Sequence, residues 1–159
     1  MGQVLKTFRN GFPGTISRAV DDIVIAQPNK SGAVLPFGTP VALNPAKTGV
    51  VPFNPSTHTA ADFIGVTVRL PSKTPDTYGS GTGAYAANDM ADILVRGHII
   101  VEMDSTSAGP GDAAAIRKSD GAFTVGTGDA VVPLTNVRVS SAPGDSGLAE
   151  ILLTGRNKL

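Results

Sequence analysis

The chain has 159 residues and a formal net charge of zero, because 13 lysines and arginines balance 13 aspartates and glutamates. It therefore lacks the strong basic field that attracts nucleic acid or an anionic membrane surface, and we expect neither partner. The absence of cysteine excludes disulfides and thiolate metal sites, and two histidines supply few proton shuttles or metal ligands. With 19 glycines and 12 prolines, the composition favours a small all-β building block over an enzyme.

The N-terminal region has neither the periodicity of a helix nor that of a strand. Phe8, Arg9 and Arg18 flank a Gly-Phe-Pro-Gly sequence that contains Phe12, and the region has no sustained period of 2 or 3.6. We therefore predict an extended N-terminal arm over residues 1–21, with a poorly ordered terminus as the alternative. No apolar run resembles a secretory signal or reaches the roughly 18 residues of a membrane span, so we expect synthesis in the cytoplasm.

The remainder of the chain, residues 22–159, is predicted to form a single β-domain. Short apolar runs follow one another, with Gly, Pro, Asn, Asp and Ser between them. These runs are residues 23–26, 40–43, 50–53, 63–70, 92–103, 113–117, 122–125, 137–139 and 148–153. Their number and spacing predict an all-β fold, a compact β-sandwich or β-barrel of short antiparallel strands.

The longest of these runs, residues 92–103, alternates between apolar and polar side chains. Alternation assigns the two sets to opposite faces of a strand. The apolar face comprises Ile93, Val95, Ile99, Val101 and Met103, and the polar face comprises Asp92, Arg96, His98 and Glu102. Gly97 in the middle predicts a bulge, or a bend between two consecutive strands.

One sequence suggests catalysis. Gly144-Asp145-Ser146-Gly147 matches the sequence around the nucleophile of trypsin-like serine proteases, and His58, Asp104 and Ser146 occur in the required order. However, only twelve residues follow Gly147, too few for the strands that form the substrate pocket of that family. Because Gly-Asp-Ser-Gly is also an ordinary turn composition, we predict no catalytic residues and keep a protease centred on Ser146 as an alternative of last rank.

The remaining polar motifs do not have the spacing of a binding site. The glycine-rich residues 79–83 lack the Lys-Ser/Thr of a P-loop, and the aspartates beside glycines in turns lack the spacing of an EF-hand. His58 and His98 have no third ligand placed by the sequence. We therefore expect no cofactor and no metal ion.

Several segments share a pattern of Gly turns followed by small-residue or aliphatic strands. They are residues 37–41, 63–68, 92–101, 108–113, 120–123 and 147–153. In order and composition this set, which spans most of residues 34–153, resembles the structural cement, or capsid decoration, proteins of tailed bacteriophages.

The resemblance implies a non-enzymatic virion protein, made in the host cytoplasm, that binds the outer surface of the capsid. It would bridge neighbouring major capsid subunits and self-associate as a homotrimer at three-fold or quasi-three-fold positions, with a homodimer as the alternative. In that role Phe8, Arg9, Phe12 and Arg18 of the arm are the predicted capsid contacts. A phage tail or adhesin module shares the all-β, glycine-rich, cysteine-free profile and is the alternative function.

Overall fold

The computed structural model describes residues 11–73, 83–105 and 107–155. Within these ranges the chain forms eleven strands and two short 3-10 turns, the latter at Ala60–Asp62 and Pro71–Lys73. The strands are β1 (Ile16–Pro28), β2 (Leu35–Pro36), β3 (Pro40–Leu43), β4 (Val50–Pro52), β5 (Phe63–Thr67), β6 (Ala84–Tyr85), β7 (Met90–Glu102), β8 (Ala113–Arg117), β9 (Phe123–Val125), β10 (Val131–Ser141) and β11 (Leu148–Leu153). In the described part of the chain, no helix is long and apolar enough to cross a membrane.

Nine strands form one curled antiparallel sheet, a half-barrel. Its order is β4-β3-β5-β7-β11-β10-β8-β9, with β1 paired to β7 outside this path. Strands β2 and β6 form a separate two-stranded sheet. The predicted all-β fold of antiparallel strands is confirmed.

Strand β7 organises the sheet because it pairs with β1, β5 and β11. Both of its faces are covered, so apolar side chains alternate between two cores. The first core lies mainly on β5, β7, β8, β10 and β11 and includes Leu94, Ile99, Val101, Met103, Phe63, Phe123 and Ile151. The second core includes Leu35, Phe37, Val41, Ile64, Tyr85, Ile93 and Val95.

The single apolar face predicted for residues 92–103 is wrong. Ile93 and Val95 pack in the second core, whereas Ile99 and Val101 pack in the first. The exchange occurs at Gly97, whose φ is +121°, and β1 shifts register opposite it between Arg18 and Ile23. An irregularity that breaks the two-residue period moves the side chains that follow it to the other face.

Gly97 is required by close packing as well as by its φ angle. A Cβ atom on Gly97 would collide with Oδ1 of Asp22 and would lie 3.2 Å from the Cα of Asp22. The extra residues of β1 therefore lie directly against the backbone of β7, where only glycine leaves room.

The described part of the predicted arm is packed on the β-domain. Gly14 donates a hydrogen bond to the carbonyl of Ile100 at 2.8 Å, and the N–H of Ile100 donates to Thr15 O at 2.9 Å. Strand β1 then begins at Ile16 and crosses the predicted boundary between residues 21 and 22. Residues 1–10 lie outside the described residues.

Candidate functional site

Of the four predicted contact residues, Phe8 and Arg9 lie outside the described residues. Phe12 is half-buried and faces the guanidinium of Arg69, whose Cζ lies 4.7 Å from the ring centroid. The N–H of Arg69 also donates to Gly14 O at 2.7 Å. A cation over an aromatic face is attracted by the ring quadrupole, so Arg69 holds the N-terminal segment on the domain at two points.

Arg18 forms a bidentate ion pair with Glu150 on β11. Its Nε donates to Oε1 at 3.1 Å and its Nη2 to Oε2 at 3.2 Å, while Ser17 Oγ donates to Oε1 at 2.5 Å. The side chain of Glu150 is 8% exposed and that of Arg18 is 63% exposed. Because a buried carboxylate requires hydrogen-bond donors, this contact fastens the start of β1 to the sheet and leaves much of Arg18 at the surface.

Glu150 was not among the residues selected from sequence. The sequence does mark Glu150, because it is the one acidic residue within the aliphatic run 148–153. A charge in a strand that is otherwise buried needs a partner. The partner could not be chosen locally, because 132 positions separate Arg18 from Glu150.

A surface cavity of about 690 Å³ lies beside the N-terminal segment. We call it the N-terminal groove. Its lining residues are Pro13, Pro36, Phe37, Gly38, Thr39, Pro40, Gly83, Ala84, Glu102, Asp120, Gly121, Ala122 and Phe123. The described lining is mostly apolar, with two carboxylates and no basic side chain.

Pro13, in the described part of the arm, packs closely against Gly38, and both residues line the groove. Gly38 has a φ of +74°, and a Cβ atom there would lie 2.9 Å from the Cβ of Pro13. A smaller cavity of about 270 Å³ adjoins the groove, since both are lined by Glu102 and Ala122. The smaller cavity also contains Asp104 and Ser146.

Arg117 organises the charges near the groove. Its Nη1 donates to Asp104 at 2.5 Å and its Nε to Asp120 at 2.9 Å. The hydrogen bond from Arg117 lowers the pKa of Asp120 to about 2, and the two carboxylates raise the pKa of Arg117 above its ordinary value. Asp120 thus remains ionised near neutral pH, and the guanidinium of Arg117 lies between it and Asp104.

The side chains considered for a protease make separate interactions. His58 Nδ1 accepts a hydrogen bond from Asn54 N at 2.9 Å, and its ring lies against Phe53. Asp104 pairs with Arg117, and Ser146 lines a different cavity from the one that His58 lines.

The Gly-Asp-Ser-Gly sequence forms the connection between β10 and β11. The N–H of Gly147 donates to Gly144 O at 2.8 Å, which is the closing hydrogen bond of a four-residue turn. In the described ranges, no three His, Asp or Glu side chains come together in a way that could hold a metal ion.

The chain is similar to a known protein family and to a chain of a solved structure. The family model described as structural cement protein (E217 gp24/Pam3 gp6) matches residues 2–154. A chain in the solved structure titled "The capsid of Myoviridae Phage XM1" superposes with a TM-score of 0.69 at 15% sequence identity, covering 96% of this chain and 95% of that chain. At that identity the superposition shows a shared fold. No curated protein matches the sequence.

Proposed function

Since this chain belongs to the phage structural cement protein family, we propose that it binds the outer surface of a tailed-phage capsid and holds neighbouring major capsid subunits together. A structural role on the capsid follows from the family. The observation that carries the proposal is the family match over residues 2–154.

The physical basis of cementing is the repetition of the capsid lattice. An assembled shell presents several contact patches at fixed spacing, so a second contact forms at high effective concentration once the first is made. Modest individual contacts then combine into stable binding. We further propose that the protein binds as a symmetric oligomer, a homotrimer, because closed symmetry matches the symmetry axes of the shell. A homodimer is the alternative.

The N-terminal arm is the proposed capsid contact, with Phe8, Arg9, Phe12 and Arg18 as its contact residues. Two observations support this part of the proposal. Arg18 is anchored to Glu150 while its side chain is 63% exposed, so its position is defined and much of the side chain lies at the surface. The backbone hydrogen bonds of Gly14 and Thr15 with Ile100 fix the described part of the arm on the domain.

Co-sedimentation with phage heads tests the proposal. Purified protein is mixed with cement-free expanded heads, and with unexpanded heads as the control, and bound copies per shell are counted at saturation. We expect saturable binding to expanded heads at a stoichiometry set by a symmetry axis of the lattice. Absence of binding to both shells would contradict the proposal, and binding to isolated tails would favour the tail or adhesin alternative.

The non-enzymatic part of the proposal has its own measurement. An organophosphonate probe labels a serine that is activated as a nucleophile. We expect no labelling of Ser146 and no peptide turnover, because its described surroundings lack the hydrogen-bonded histidine that such activation requires.

A further inference from the structure

Strand β1 has an open edge along its C-terminal half. Among the described strands it pairs with β7 alone. The ladder is regular from Val24, opposite Leu94, to Pro28, opposite Met90. In the described ranges, residues 23–27 make no backbone hydrogen bond outside this ladder. The second edge of this stretch therefore faces outward with no described strand beside it.

The neighbouring ladder shows which backbone groups face the open edge. Strand β5 pairs with β7 on the side opposite β1, and there the N–H of Val68 donates to Asp92 O at 2.8 Å. In an antiparallel ladder, the backbone groups of successive residues point alternately to the two sides of the strand. Ile93 therefore bonds toward β1, and Ile25, which lies opposite it, bonds toward β7.

Val24 and Ala26 alternate with Ile25, so their backbone N–H and C=O groups face the open edge. The side chains along this edge are largely apolar. Val24 is 42% exposed and Ala26 is exposed, while Ile23 and Ile25 are half-buried against the second core. An extended chain beside β1 would bond the outward backbone groups and cover apolar side chains on both faces.

The other edges of the large sheet are short and bridged. Strands β4 and β9 have three residues each; Val50 of β4 bridges to Asn29, and Phe123 of β9 bridges to Met103. Proteins protect a long apolar edge with lysine, proline or a bulge, because an open edge recruits other chains. Residues 24–27 contain no lysine, no proline and no register shift. They form an unprotected edge of the described sheet.

The size of this edge decides its occupant. Residues 23–27 extend over about 17 Å, and a strip about 10 Å high along them covers roughly 170 Å². A stable interface buries about 800 Å² on each partner, so two free copies joined only through this edge would separate. A segment held in a lattice can bind through the same small contact, because other contacts supply a high effective concentration.

We propose that the open edge of β1 accepts an extended segment of the major capsid protein as an added strand, with the N–H groups of Val24 and Ala26 donating to it. The segment carries apolar, β-branched side chains at alternate positions, which contact Val24 on one face and Ile25 on the other. This inference names a contact of the proposed function and rests on that function.

Two substitutions close the edge without removing a hydrogen bond to β7. Ala26→Pro removes an outward N–H, and proline is tolerated on an edge strand where the N–H faces solvent. Val24→Lys places a charge where the added strand would pack, as natural edge strands do. Val34→Lys is the matched control, because Val34 is a 64% exposed valine that lies before β2. Thermal melts establish that each variant folds.

Each variant is co-sedimented with cement-free expanded heads over a range of protein concentrations. We expect Ala26→Pro and Val24→Lys to weaken binding about tenfold, the loss expected for one or two hydrogen bonds, and Val34→Lys to bind like the unmodified protein. Amide hydrogen exchange supplies a second readout. In the free protein the N–H groups of Val24 and Ala26 should exchange about tenfold or more faster than those of Ile25 and Gln27, and they should become protected on heads.

Binding of both edge variants at the level of Val34→Lys would overturn the inference and leave the proposed function standing. Failure of the unmodified protein to bind heads would remove the proposed function, and this inference with it. Slow exchange of Val24 and Ala26 in the free protein would show that the edge is already covered. Concentration-dependent self-association in sedimentation velocity, abolished by Val24→Lys, would assign the edge to a second copy and contradict the choice of a capsid segment.

Discussion

Replacing Arg18 with alanine removes the main partner of a buried carboxylate. Glu150 would keep the hydrogen bond from Ser17 Oγ but lose both guanidinium hydrogen bonds. The Glu150 side chain is 8% exposed, so water cannot fully replace the lost donors. We therefore expect Arg18→Ala to lower the free energy of unfolding.

The exposure of the two partners sets the size of this loss. Removing one member of a fully buried ion pair costs about 3–5 kcal/mol, whereas a fully exposed pair contributes about 0–1 kcal/mol. Arg18 is 63% exposed while Glu150 is buried, which places the loss between these limits, at about 2 kcal/mol. For a domain of this size the melting temperature should fall by about 4–8 °C.

Thermal unfolding followed by circular dichroism measures the effect. Arg138→Ala is the matched control, because Arg138 is exposed on β10 and makes no ion pair with the described residues. The melting temperature of the Arg138→Ala protein should change little, because this substitution is expected to lower the free energy of unfolding by less than about 0.5 kcal/mol. Glu150→Gln in the Arg18→Ala background should recover part of the loss, because the amide removes the uncompensated buried charge.

Two results would refute this reasoning. If Arg18→Ala and Arg138→Ala melted alike, the contact with Glu150 would contribute no more than an ordinary surface arginine. If Glu150→Gln destabilised the Arg18→Ala protein further, the loss could not be attributed to an unpaired charge.

Three further predictions concern the fold and the arm. Gly97→Ala should destabilise by about 3 kcal/mol or more, because of its φ of +121° and the contact with Asp22; Gly144→Ala, in open space, should be nearly neutral in the same melt. Burial raises the pKa of Tyr85 from 10.0 to about 12, so the free energy of unfolding should decline between about pH 10 and pH 12. In thermal melts recorded across this pH range, Tyr85→Phe should remove the decline. An equal decline in the Tyr85→Phe protein would contradict the assignment. Deleting residues 1–10 should lower capsid occupancy in co-sedimentation while leaving the domain folded, and unchanged occupancy would count against the arm.

The deletion stops at residue 10 for a structural reason. Removing residues 1–20 would also remove the hydrogen bonds between Gly14, Thr15 and Ile100 and the contact of Arg18 with Glu150. Weaker binding of that longer deletion could then reflect a damaged domain. The shorter deletion separates the two effects.

Local patterns predicted the strands where alternation and turn residues are regular. The predicted runs 40–43, 113–117 and 148–153 coincide with β3, β8 and β11. Strand β1 was predicted only as residues 23–26 because its register shift between Arg18 and Ile23 interrupts the alternation. Strand β10 was predicted as 137–139 but extends over Val131–Ser141, including Pro133, whose residue type argues against a strand interior.

The family and the structural role on the capsid were predicted from the order of glycine turns and aliphatic strands, and both are confirmed. The order of these turns and strands along the chain can be read directly from the sequence. The family can therefore be recognised without knowing which strands pair in the folded protein. The capsid contacts of Phe8, Arg9, Phe12 and Arg18 stay a prediction.

By itself, then, the sequence determined the all-β class, the absence of cysteine chemistry, the positions of the regular strands and the family. These depend on residue type and short-range spacing. Only the tertiary structure decided the exchange of faces at Gly97, the pairing of Arg18 with Glu150 and the N-terminal groove. Each of these depends on residues far apart in the chain that fold into contact, and short-range spacing carries no information about such pairings.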